Sequence, residues 1–101
     1  MYAVVNHLPI KPDADWGDIA TKFAKFSAAT SREYPKLKVA VLMKTSETEA
    51  IFLGVYDDQA TAEHVSANVA TPWFAENIRP YLSGAAQRAV GEVISGVVVG
   101  G

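Results

Sequence analysis

A chain of 101 residues, half of them hydrophobic and none of them cysteine, is long enough for one domain with a modest core and too short for two. Nine Lys and Arg against eleven Asp and Glu leave a formal net charge of -2, which argues against the basic footprint of a nucleic-acid-binding protein, while the lack of Cys removes disulfides, thiolate nucleophiles and Cys-ligated metals together. No stretch approaches the roughly 20 apolar residues of a membrane span, and the start Met1-Tyr-Ala-Val-Val carries no charged leader, so the expectation is a cytoplasmic protein with neither membrane nor nucleic acid as partner.

Tyr2 to Ile10 reads as a first strand, closed by Pro9 and Pro12. A helix opens near Asp13 to Asp15, whose carboxylates can cap free N–H groups, and runs to Tyr34, where Pro35 stops it. Its stripe of Trp16, Ile19, Ala20, Phe23, Phe26 and Thr30 has the spacing of a helix packed on a sheet. Leu37 to Lys44 forms a second strand with Leu37, Val39, Val41 and Met43 on one face. Thr45 to Glu49 is a polar turn, and Ala50 to Tyr56 completes a hairpin. Asp57 and Asp58 cap a second helix from Gln59 to about Ala70, with Ala62, Val65 and Val69 inward. On a wheel of about 100° per residue, His64 then points away from the core. Thr71-Pro72 has the form of an N-cap and a first-turn proline, so a separate short helix is expected to carry Trp73, Phe74, Ile78 and Tyr81. Gln87 to Val99 is read as a long last strand, in which Gly91 and Gly96 predict a bulge or a close backbone approach.

The order β-α-β-β-α-β is the ferredoxin-like α+β arrangement, a four-stranded antiparallel sheet with helices on one face, in one domain over residues 1–101. The strands are apolar on both faces: Ala50 to Tyr56 shows no alternation, and the first and last strands carry Val, Ile or Leu at odd and even positions alike. A strand buried on one side alternates, because successive side chains point to opposite faces. The helices supply one covering layer. The second is expected to be another copy of the same sheet, giving a homodimer, a dimeric α+β barrel with a pocket between each sheet and its own helices.

Within such strands a polar residue marks a candidate site, since burying it without a partner costs about 1–3 kcal/mol. Asn6 is one; it shares a face with Tyr2, Val4 and Leu8, and its amide either binds a ligand oxygen or bonds to backbone at the end of the strand. His7 faces the other side, where a contact across the dimer is the plainer role. Trp73, Phe74, Arg79 and Tyr81 cluster around the short helix, and rings beside one cation suit a planar, partly anionic organic ligand. The plainer role of Trp73 and Phe74 is to plug the end of the barrel, and for Phe74 and Ile78 it is the better reading. Trp16 and Tyr34, at the two ends of the first helix, belong to the core or the pocket rim. Gly-rich phosphate loops, a G-x-S-x-G elbow, H-E-x-x-H and His pairs at ligand spacing are all missing, so no metal is expected, and Ile51 to Tyr56 lacks the basic and aromatic pattern of an RNA-recognition motif.

Over nearly its whole length the chain resembles the antibiotic-biosynthesis-monooxygenase-like family of dimeric α+β barrels. The resemblance rests on Gly54-Val-Tyr-Asp57, Ala62-Glu-His64, Thr71-Pro-Trp-Phe74, Asn77-Ile-Arg-Pro-Tyr-Leu82 and Gly91-Glu-Val-Ile94. Trp73 stands where such proteins often have a histidine, and the interval from His64 to Thr71 is about one helical turn longer than theirs. The resemblance implies a cofactor-free oxygenase of a small aromatic, quinol-like or polyketide-like substrate. Asn6 would orient a substrate oxygen, Arg79 stabilise its anion, and Trp73 and Tyr81 stack on it or hydrogen-bond to it, with Phe74, Trp16 and Tyr34 completing the pocket. A second implied outcome is a non-catalytic ligand-binding or regulatory module of the same fold. Haem-degrading relatives share an asparagine on strand one, matched by Asn6, but their haem-ligating histidine falls at Ile78.

Overall fold

The computed structural model describes residues 1–97. Four strands, β1 (Tyr2–Pro9), β2 (Leu37–Ser46), β3 (Glu49–Tyr56) and β4 (Gln87–Glu92), form one antiparallel sheet in the order β2-β3-β1-β4. The helices α1 (Trp16–Glu33), α2 (Gln59–Val65) and α3 (Thr71–Asn77) lie on one of its faces, as in the ferredoxin-like arrangement expected from the element order.

Local chemistry sets the boundaries. Asp15 caps α1 by accepting the Asp18 N–H at 3.0 Å, and the Tyr34 N–H closes its other end on the Thr30 carbonyl. Asp58 caps α2 through the Thr61 N–H at 2.8 Å. The expected break at Thr71-Pro72 is absent. The backbone stays helical through Ser66–Ala70, which forms a π turn, and Thr71 is itself in the helical region with its N–H bonded to the Ser66 carbonyl. A proline inside an α-helix lacks an N–H and its ring collides with the carbonyl four residues back. The wider turn just before Pro72 is the kind of irregularity that relieves this crowding, and π turns of this sort are frequent at functional sites.

Two further expectations change. A register shift between Leu37 and Val39 leaves Lys38 out of step, so Leu37 packs under the helices while Val39, Val41 and Met43 face the other side. The last strand ends at Glu92. Its ladder with β1 runs without a shift at Gly91, where a Cβ would meet nothing within 4 Å, so Gly91 marks neither a bulge nor a close approach. Gly96 has φ 125°, a left-handed conformation that favours glycine, and Val93 to Val97 are not in a strand. Val98 and Val99 lie outside the described residues.

The core has two adjoining parts between sheet and helices. Val4, Leu37, Tyr56, Ala62 and Val65 form one, and Leu8, Ile10, Ile19, Ala50 and Ile78 the other. The far face of the sheet is also apolar: Ala3, Val5, Val39, Val41, Met43, Ile51, Leu53, Val55 and Ala89 share it by register. Val41 and Met43 are 43% and 48% exposed there. No helix among the described residues is long and apolar enough to cross a membrane.

Candidate functional site

The sheet and the helical layer part where β1 and β4 pass beneath the π turn and α3. A cavity of about 210 Å³ opens there, floored by Val4, Asn6, Leu8, Phe52, Tyr56 and Arg88 of the strands and roofed by Ser66, Ala70, Thr71, Phe74, Ala75 and Arg79. Its floor follows from register. Asn6 lies opposite Phe52 on β3 and opposite Arg88 on β4, so all three point the same way. Its roof follows from the π turn, which brings Ser66, Ala70 and Thr71 onto one wall.

Arg79 reaches the cavity because the short 3-10 turn Arg79–Tyr81 is tied to the end of β1. The Lys11 N–H donates to the Tyr81 carbonyl at 2.8 Å, the Ser83 N–H donates to the Pro9 carbonyl at 3.0 Å, and Ile10 bridges to Leu82. Ile78, immediately before the turn, is fully buried and anchors it in the core.

The charged groups of the site are all cationic donors, and they lack partners. Among the described residues the Asn6 amide makes no hydrogen bond to protein, and neither Arg79 nor Arg88 makes an ion pair. Tyr56 is 2% exposed. Burial pushes its phenol above the usual range, opposed by the charge of nearby Arg88, so the hydroxyl is protonated at neutral pH and available as a donor. Among the described residues no Asp, Glu or His lines the cavity. The site presents one amide, one phenol, two guanidinium groups and the Ser66 and Thr71 side chains around a largely apolar chamber, which suits a flat ligand with negatively charged oxygens.

Of the residues expected from sequence, Asn6, Phe74 and Arg79 line this cavity; Trp16, Tyr34, Trp73 and Tyr81 do not. Trp73 stacks on Phe26 of α1 with ring centroids 4.3 Å apart and 22° between planes. It meets Phe23 and Phe74 edge-on, so it joins α3 to α1. Tyr81 donates its hydroxyl to Asp18, which also pairs with Lys22 at 2.9 Å. These contacts hold the Asp18 carboxyl below its usual range and raise the Tyr81 phenol. Trp16 lies in a separate groove between α1 and β2, beneath Lys44, with its indole N–H buried and unpaired. Tyr34 packs on the core near Tyr56 and meets His64, Oη to Nε2 3.3 Å. His64 is exposed, as the helical wheel indicates, and His7 is exposed on the far face of the sheet.

Arg88 and Tyr56 are the lining residues that sequence reading had not singled out as a site. The signal for Arg88 was present: a cation two residues before Val90 in a strand is the same anomaly as Asn6 between Val4 and Leu8. Ile78, where a haem-ligating histidine would fall, is a packed apolar position, and no histidine lines the cavity. The site therefore does not fit a histidine-ligated haem.

A four-stranded antiparallel sheet with a cavity under one helical layer is the α+β fold of the antibiotic-biosynthesis-monooxygenase-like proteins. The chain matches SnoaB, a cofactor-independent oxygenase from Streptomyces nogalater, at 13% identity and TM-score 0.74, over 95% of each chain. It matches a monooxygenase from the gene ActVA-Orf6 of Streptomyces coelicolor, solved with the ligand Nanaomycin D, at 15% identity and TM-score 0.71, over 96% of this chain and 90% of that one. The NE2512 protein of unknown function from Nitrosomonas europaea matches at 16% identity and TM-score 0.73, over 99% of this chain and 95% of that one. At these identities the likeness is one of fold. The sequence matches no family model and no curated protein.

Proposed function

We propose that this protein is a cytoplasmic, homodimeric, cofactor-independent monooxygenase of a small aromatic, phenol- or quinol-like substrate held in the Asn6 cavity. The observation that carries the reading is an amide in the middle of an apolar strand, turned into a cavity with no protein partner. Asn6 is half-buried, so water meets its amide in the cavity and a ligand oxygen takes the place of that water. The oxygenase names of SnoaB and the ActVA-Orf6 protein support the class of reaction. The cavity volume favours one or two rings over a large polycyclic ligand.

In this reading the substrate supplies the electrons. A phenolate with a free para position reacts with O2 so that the ring carbon loses its hydrogen and gains one oxygen atom as a quinone carbonyl. The second oxygen atom leaves as water with that hydrogen and the phenolic one, and the four electrons lost by the ring are the four that O2 takes up. Asn6 and Arg79 hold the phenolate oxygen and spread its charge, Tyr56 donates a hydrogen bond, and Phe52 and Phe74 flank the ring. Trp73 and Tyr81 act from outside the cavity by fixing α3 and the Arg79 turn.

A second reading is supported by one observation. Among the described residues no carboxylate or imidazole lines the cavity, so they offer no ordinary general base, and a non-catalytic binding module of the same fold needs none. Oxygen uptake with phenols that keep a free para position, such as 1-naphthol, measured together with thermal melting on Asn6→Ala, separates the readings. The oxygenase reading expects turnover in the parent and its loss in the variant, with the melting temperature nearly unchanged. A parent that consumes no oxygen while binding these aromatics rejects it in favour of the binding module.

A further inference from the structure

The reaction proposed above places one negative charge in the cavity, on the phenolate oxygen, and a single guanidinium answers it. The cavity holds two. Arg79 comes from the helical layer and Arg88 from the sheet, so they are not neighbours by accident of one element. Neither has an acidic partner among the described residues, and the lining contains no carboxylate. Lys22, Lys36, Lys38 and Lys44 pair with Asp or Glu, whereas Lys11, Lys25 and Arg32, like the two cavity arginines, make no ion pair among the described residues. Both arginines line the cavity from its exposed side, where a ligand carrying negative charge can meet them.

We infer that the ligand is a hydroxy-aromatic carboxylate, with Arg88 as the residue that reads its carboxylate, while Asn6 and Arg79 take the ring oxygen. The assignment follows from chemistry and register. Guanidinium presents a planar fork that matches a carboxylate with two parallel hydrogen bonds. Arg88 lies directly across the β1–β4 ladder from Asn6 and close enough to Tyr56 for its charge to act on that phenol. A carboxylate placed there meets Arg88 and the Tyr56 hydroxyl together, and the ring extends over Val4, Leu8, Phe52 and Phe74. The absence of acidic side chains from the lining removes the group that would repel it. This assignment rests on the Asn6 cavity being the ligand site, but not on the ligand being oxidised there.

The test is therefore made with probes that carry no phenol. Calorimetric titration of the full chain with 1-naphthoate and with 1-naphthamide, neutral and of nearly the same shape, should show the carboxylate binding about tenfold tighter or more. Arg88→Gln should bring the two affinities close together, and Arg88→Lys, which keeps the charge without the fork, should retain part of the difference. Equal affinities in the parent, no naphthoate binding at about 1 mM, or a full preference surviving in Arg88→Gln would overturn the assignment. The comparison in the parent protein needs no variant to fold. Missing oxygen uptake with 1-naphthol, whose para position is free, would sink the oxygenase reading while leaving a carboxylate preference intact, so the two failures are told apart.

Discussion

Asp58 shows how much a single exposed side chain can arrange in this fold. One of its oxygens accepts the Thr61 N–H and starts α2, and the other meets Lys36 Nζ at 2.8 Å, joining that helix to the segment before β2. The Lys36 contact and the backbone bond hold its carboxyl far below the usual value near 3.8. A group whose pKa is lower folded than unfolded stabilises the protein fully above the unfolded value, and the contribution is lost as pH falls through the folded one. Asp58→Ala should therefore melt a few degrees below the parent at neutral pH, and the gap should narrow on acidification below about pH 4. Melting curves across that range check it, and a gap that stays constant down to the acid limit would contradict the assignment. Asp57 and Asp58 were legible as a cap from sequence, because acidic residues before a periodic segment have one ordinary use. Arg88 was not, although it breaks an apolar strand as plainly as Asn6 does: reading Gln87 to Val99 as one long strand hid the alternation of Arg88, Val90 and Glu92 that ends at Glu92.

At the scale of elements, the sequence revealed order and type and concealed phase. Strand and helix positions follow from periodicity, whereas the out-of-step Lys38 and the π turn depend on pairing partners and on crowding at Pro72, neither of which leaves a local pattern. The π turn matters most, because it resets which α3 residues face the sheet. It leaves Phe74 at the cavity and turns Trp73 toward Phe26, whereas both rings were expected in the pocket. β3 carries a feature of the same kind. Gly54 lies between Phe52 and Tyr56 on the cavity side, and an added Cβ would stand 3.3 Å from an atom of each ring. Phe52 is wedged between Phe23 and Phe74, at 5.6 and 5.5 Å, so Tyr56 is the ring that must yield. Gly54→Ala is expected to weaken binding of 1-naphthoate several-fold with a small loss of melting temperature, and an unchanged affinity would show that the ring does not move into the cavity.

At the scale of the whole molecule, one face of the sheet is covered and the other is equally apolar, which is the property the strands announce by failing to alternate. A single copy would leave on that face a patch beyond the few hundred Å² typical of monomers. We expect sedimentation at micromolar concentration to show a dimer, and Leu53→Asp, placed in the middle of the face, to shift it toward monomer. A stable monomer in the parent would remove the argument for face-to-face pairing. The sheet order has a further consequence, in time rather than in space. Asn6 and Arg88 are neighbours only because the last strand pairs with the first along the edge of the sheet, the contact that closes the longest loop in the chain and so costs most entropy to form. The stack of Trp73 on Phe26 involves no residue of β4, so helical packing can be in place while the cavity still lacks its Arg88 wall. A folding chain acquires its ligand site no earlier than its final strand, and every partly folded form that lacks β4 is blind to the ligand.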